Sequence, residues 1–197
     1  MMQRSFRMTL AALALAATTA LVACTSPAPP APEATEAPAA APAAGQASVR
    51  GDLIKDWQDQ KDAMLKIADA MPEDKFGFKP TPAQRSFGEQ VMHAASTNVE
   101  LLMALGGAAA APAFSAESAK TKADILKALA DSYDYAIALL NEQSDAGINE
   151  TIDAGFLGQS TRARAFWFLL GHSMDGYGQM AVYLRLNGVV PPASRGL

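Results

Sequence analysis

The chain has 197 residues, half of them apolar, with 16 basic residues against 20 acidic ones, two histidines and a single cysteine. That length and apolar content suffice for one domain with a sizeable core. The net charge of −4 and the lack of any basic run exclude a nucleic-acid surface, and one cysteine excludes an intrachain disulfide framework.

Residues 1–23 read as a processing signal. Arg4 and Arg7 precede an uncharged apolar run from Met8 to Ala23, which is too short for a confident membrane span. The run ends in "LVAC", Leu21 to Cys24, which resembles a bacterial lipobox. That resemblance implies cleavage before Cys24 and acylation of its thiol, anchoring the mature chain to a membrane in the cell envelope. Cleavage would remove two arginines and no acids, leaving 14 basic against 20 acidic residues, a net of −6. Thr25 stands where an Asp would retain a lipoprotein at the inner membrane, so the resemblance favours the outer membrane, facing the periplasm. From residue 24 to 48 the chain is almost wholly Ala, Pro, Glu, Thr and Ser, which reads as an extended tether without apolar bulk to bury.

Residues 49–192 read as four helices, with a short tail at 193–197. Leu53, Trp57, Met64, Leu65, Ala68 and Met71 recur mostly at helical spacing until Pro72 stops the pattern. A proline-stiffened loop follows. "SFGE" then predicts a second helix, with Ser86 and Glu89 forming a capping box and Gly106-Gly107 marking the end. Thr121 and Asp124 repeat the cap logic for a third helix, whose apolar stripe is Ile125, Leu129, Tyr133, Ala136 and Leu140. The fourth runs from about Thr161 to Leu186 and is apolar nearly all round, predicting a central, buried element stopped by Asn187-Gly188. No segment shows a strand period, so the expected fold class is all-α, a four-helix bundle.

Two stretches carry a resemblance. "FKPTPAQRSFGEQVMHAA" (78–95) and "GHSMDGYGQMAVYLRLNGVVPP" (171–192), at this spacing in a four-helix chain, resemble the DinB/YfiT-like family, especially its exported members. The resemblance extends from about Asp52 to Pro192. It implies a divalent metal, zinc or nickel, at one bundle end, held by one histidine of the second helix and an i, i+4 pair on the fourth. It also implies hydrolase-like or thiol-transferase chemistry for some members. Carried onto this sequence, the metal positions fall on His93 and His172, but the third is Gly176, which has no side chain to coordinate anything.

Three residues are candidate substitutes. Asp175 is rotated about 100° off the His172 face. Gln179 lies on that face, nearly two turns away, with an amide oxygen that suits harder cations. Glu89 is one turn before His93 on its own face, so a set of two imidazoles and one carboxylate is conceivable, although the capping box competes for the same carboxylate.

Periodicity alone reads the histidines differently. A helical wheel puts Phe87, Val91, Ala94, Asn98, Leu102 and Leu105 on one stripe, with His93 roughly opposite, beside Glu89, Thr97 and Glu100, as a surface histidine in acidic company. His172 fits either a hydrogen-bonded core or a pocket. Phe156, Phe166, Trp167 and Phe168 read mainly as core residues, and Arg162 and Arg164 as residues capping or solvating a helix start. The mid-helix Gly176 and Gly178 suggest close packing or a cavity.

Three functions remain open: a metal-dependent envelope enzyme, a binding module with a degenerate two-histidine metal site, and a lipid-anchored protein without a site. The binding module is narrowly preferred. Its expected partners are the membrane, through lipid on Cys24, and a small molecule or protein at the bundle end, with a homodimer left open.

Overall fold

The computed structural model describes residues 47–115 and 117–196; the signal, Cys24 and nearly all of the tether lie outside them. Helix α1 spans Val49–Asp69, α2 Phe87–Met103, α3 Lys122–Glu142 and α4 Arg162–Leu186. Each start is chemically marked. Ser48 accepts from the Gly51 amide at the head of α1, and Ser86–Glu89 and Thr121–Asp124 close full capping boxes on α2 and α3. Thr161 caps α4 by accepting from the Arg164 amide. These caps satisfy amides that a helix leaves unpaired at its N-terminus.

Helix α1 packs on α3 and α4, and α2 packs on the same two, so the four form a square with α1 diagonal to α2. Trp57 is fully buried near the middle of α1; its indole lies 5.5 Å from the Tyr133 ring of α3 and 6.0 Å, edge-on, from Phe166 of α4. One side chain thereby joins three helices. A thread of polar groups crosses the same core: Asn98 of α2 donates to Ser132 of α3 at 3.3 Å, and the Tyr133 hydroxyl donates to Ser173 of α4 at 2.8 Å. Burial pushes the Tyr133 hydroxyl up to about 12, so it remains a donor under any physiological condition.

The all-α expectation holds, with corrections in detail. A small antiparallel ribbon, β1 Thr151–Asp153 paired with β2 Gln159–Thr161, precedes α4. At three residues per strand it is too short to display an alternating period in the sequence. Helix α4 is not central. A square bundle has no central position, and α4 leaves Trp167, Met174 and Val182 on its outer face. Of the four aromatics expected in the core, only Phe166 is buried; Phe156 and Phe168 pair edge-on at 5.0 Å on the surface, and Trp167 is half exposed. Arg162 ties the turn before the ribbon to the chain just after α2, donating to the carbonyls of Gly147 and Leu105.

Candidate functional site

The start of α2 is anchored from outside the helix. The amides of Phe87 and Gly88 donate to the carbonyls of Phe78 and Phe76, folding the preceding loop back onto the helix. Tyr183 of α4 donates its hydroxyl to the Arg85 carbonyl at 2.8 Å, and its ring packs against Phe78 and Phe87. The chain just before α2 is therefore fixed against α4, and Arg85 sits at that junction.

Nearly two turns into α2, His93 meets His172. Their ring centroids are 5.2 Å apart with planes at 78°, an edge-to-face arrangement. Helix periodicity places His93 opposite the core stripe, as a surface residue, yet it is half-buried. The reason is that α2 has two helical neighbours, α3 and α4, so its buried arc is wider than its most apolar stripe and includes Gln90, Met92 and Ala95. His93 Nδ1 lies 3.3 Å from the Thr97 hydroxyl. His172 Nδ1 is buried and has no hydrogen-bond partner among the described residues.

Both imidazoles titrate below the ordinary histidine range. Burial is the main cause for each; the Arg85 guanidinium adds to it at both, opposed by Glu100 at His93 and by Asp175 at His172. Near neutral pH the pair is uncharged. Because the folded-state values lie below the unfolded value of 6.5, the stability this confers is fully present above that pH. Below it the unfolded chain takes up protons first, and stability falls. The parent is therefore expected to lose more stability between about pH 7.5 and about pH 5 than the double variant His93→Asn/His172→Asn. Urea denaturation across that range measures the difference, and parallel curves would contradict it.

A divalent cation is what the family resemblance implies beside these rings, and the donors present can be tested against it. A catalytic zinc usually has three protein ligands and an open position. Among the described residues no three or more His, Cys, Asp or Glu side chains converge to hold a metal. Gly176 supplies no donor. The Glu89 carboxylate accepts from the Ser86 amide at 2.6 Å and pairs with Lys79 at 3.0 Å, and these contacts hold it below the usual carboxylate range. Gln179 donates to Asp175 at 2.7 Å, so these two side chains are paired with each other. The Arg85 charge further opposes a cation. The set fits two-imidazole coordination at most, and it does not fit a three-ligand centre.

Beside His93 opens a cleft of about 770 Å3, lined along α2 by Glu89, Met92, His93, Ser96 and Glu100. Lys79 and Arg85 stand at one end, and the segment carrying Phe114, Ser115 and Glu117 forms another part of the lining. Sequence reasoning missed this cleft, because the approach of Phe114, Ser115 and Glu117 to α2 is a long-range packing event. The available signal was the repeat of polar residues at 89, 93, 96 and 100, a helix face too polar for a core.

The family model described as the DinB superfamily matches residues 56–180. A crystal structure of a DinB-like protein from Bacillus cereus is similar at a TM-score of 0.60 and 18% identity, covering 72% of this chain and 95% of that one. A DinB-like protein from Bacillus subtilis is similar at a TM-score of 0.54 and 14% identity, covering 70% and 92% respectively. No curated protein matches. At these identities the solved structures speak to the fold alone.

Proposed function

The chain belongs to the DinB superfamily, and from that premise we propose that this member is a binding module that takes a small polar ligand in the cleft against His93. The observation that carries the reading is the cleft itself, large enough for a ligand, lined by the neutral imidazole of His93, which packs on that of His172 with no third metal partner among the described residues. A neutral imidazole offers one donor and one acceptor, which suits a polar organic ligand. The orphaned Nδ1 of His172 indicates that this corner is not fully satisfied within the described chain.

The test is to follow the imidazole resonances of the purified protein, with EDTA present, while adding amino acids, short peptides and organic acids. At least one class is expected to shift the His93 signals, and Ser96→Trp, which fills the cleft, should remove the response. If only zinc, added without chelator, moves the imidazoles, the reading fails.

The adjacency of the rings supports a second reading, in which a weakly held, exchangeable divalent ion bridges His93 and His172 and takes its other ligands from water or substrate. That arrangement would suit a hydrolase-like or thiol-transferase-like enzyme, with the metal supplying Lewis acidity. For location, we propose a lipid anchor at Cys24 on the envelope, outer membrane side, supported by the "LVAC" pattern and the Pro-rich stretch after it. Cys24→Ser is then expected to move the protein from the membrane fraction to a soluble or unprocessed form, because stable attachment depends on the acyl chains. Unchanged partition, with no lipid label in the parent, would overturn the anchor.

A further inference from the structure

Helix α4 presents to solvent a face that the other helices lack. Five of the nine large apolar side chains exposed among the described residues belong to it, against one on α1, one on α2 and none on α3. Trp167, Met174 and Val182 follow one stripe at helical spacing and are 49%, 59% and 51% exposed, with Phe168 and Leu186 beside them. Gly171 and Gly178 fill the steps between. A Cβ built at either glycine meets nothing within 4 Å, so no other part of the described chain closes over the stripe. Phe156, paired with Phe168, widens the apolar area at the start of the helix. A contiguous apolar face of this kind marks a surface that meets a partner or a membrane.

Charge decides between them. Arg164 and Arg185 close the two ends of the stripe, about 30 Å apart along the axis at 1.5 Å per residue. They donate to the hydroxyls of Ser160 and Ser194, and neither has a carboxylate partner among the described residues. Asp175, the one acid of α4, lies three residues after His172, on the side that turns toward α2, and accepts from Gln179. A second copy laid along the whole stripe would set Arg164 against Arg185 when antiparallel, and each arginine against itself when parallel. A bilayer containing anionic phospholipid answers both ends, because guanidinium groups reach headgroup phosphates while apolar side chains between them enter the headgroup–acyl boundary. Tryptophan is enriched at that depth.

The connectivity agrees. Trp57 of α1 meets Phe166, and Met64 lies 3.8 Å from a Cβ built on Gly176, so α1 runs beside α4 in the same direction and the chain enters the bundle at the Trp167 end. The residues between Cys24 and Ser48 can span at most about 80 Å, and any shorter span lets that end reach the surface to which Cys24 is fixed. Resting on the lipid-anchor reading above, we propose that the outer face of α4 docks on an anionic phospholipid surface, so that the domain lies on the membrane instead of standing off it. No α4 residue lines the cleft beside His93, so docking leaves that cleft open.

The test is the tryptophan fluorescence of the full protein, reconstituted through its lipid into vesicles of phosphatidylethanolamine and phosphatidylglycerol, with and without bromine on the acyl chains. Trp57 is fully buried and Trp167 half exposed, so the two tryptophans serve as internal control and probe. Brominated lipid is expected to quench the parent, and Trp167→Phe, which keeps the face apolar, should lose that quenching. Met174→Glu/Val182→Glu should lose it too, with an unchanged circular dichroism spectrum. Gly178→Leu should deepen it, since added apolar area favours the bilayer, whereas a bulky residue there would wedge apart a close helix pair. An anchored parent that bromine does not quench, quenching that survives Trp167→Phe or the double variant, or weaker quenching in Gly178→Leu with dimers on cross-linking would overturn the docking and leave the anchor standing. A parent that washes off the vesicles overturns the anchor reading, and the docking with it.

Discussion

Gly176→His is expected to create a zinc site that the parent lacks. His172 and position 176 are one turn apart on α4, and His172 already faces His93 across the α2–α4 contact. There is room to start a side chain at 176: a Cβ built there meets only the Met64 methyl within 4 Å, at 3.8 Å, an ordinary contact with the flexible end of a side chain. A third imidazole converts two-point holding into the three-ligand arrangement typical of zinc, and affinity should rise by about two orders of magnitude or more. Removing a helical glycine is itself worth up to about 1 kcal/mol, so Gly176→Ala is the reference. The diagnostic quantity is the metal-dependent part of stability, which reaches about 4 kcal/mol when zinc is at a thousand times its Kd. Thermal melts with and without zinc measure it. Adding His93→Ala to Gly176→His should erase the gain. Persistence of the gain without His93 would mean that the two helices do not share a ligand set.

Trp57→Ala is expected to cost about 3–5 kcal/mol of folding stability, the range for deleting a large aromatic from a packed core. The indole is completely buried and bridges α1 to both α3 and α4, so its loss opens a cavity where three helices meet. Trp57→Phe should cost much less. Part of the reason is volume, and part is that the Trp57 Nε1 is buried without a hydrogen-bond partner among the described residues, so phenylalanine removes an unsatisfied donor along with the atoms it deletes. Urea denaturation of the three proteins gives the comparison. A loss below about 1 kcal/mol for Trp57→Ala would place the main packing of the bundle elsewhere.

The fold was legible in the sequence because its signals are local. Ser86 with Glu89, and Thr121 with Asp124, announce helix starts through contacts within four residues, and the stripe from Leu53 to Met71 registers its own burial at helical period. What depends on how helices pack was not legible. The apolar character of α4 predicted burial all round, but composition does not distinguish the face that meets α1 and α2 from the outer face bearing Trp167, Met174 and Val182. His93 illustrates the same limit from the polar side. Its wheel position identified a polar face correctly, and the structure shows that face divided between a covered edge against His172 and an open edge along the cleft. The pairing of His93 with His172 was accessible through family resemblance alone, since no local spacing links residues on different helices. Glu89 was ambiguous between cap and metal ligand, and here its contacts are those of the cap and of Lys79.

Two neutral imidazoles stand side by side here without a third protein ligand among the described residues. Calorimetric titration of the chelator-treated parent protein with zinc chloride tests this most directly. Two imidazoles near the Arg85 charge predict binding no tighter than about 10 μM, further weakened in both His93→Ala and His172→Ala. Stoichiometric binding tighter than about 100 nM, lost on removal of either histidine, would establish a complete metal centre and contradict the account.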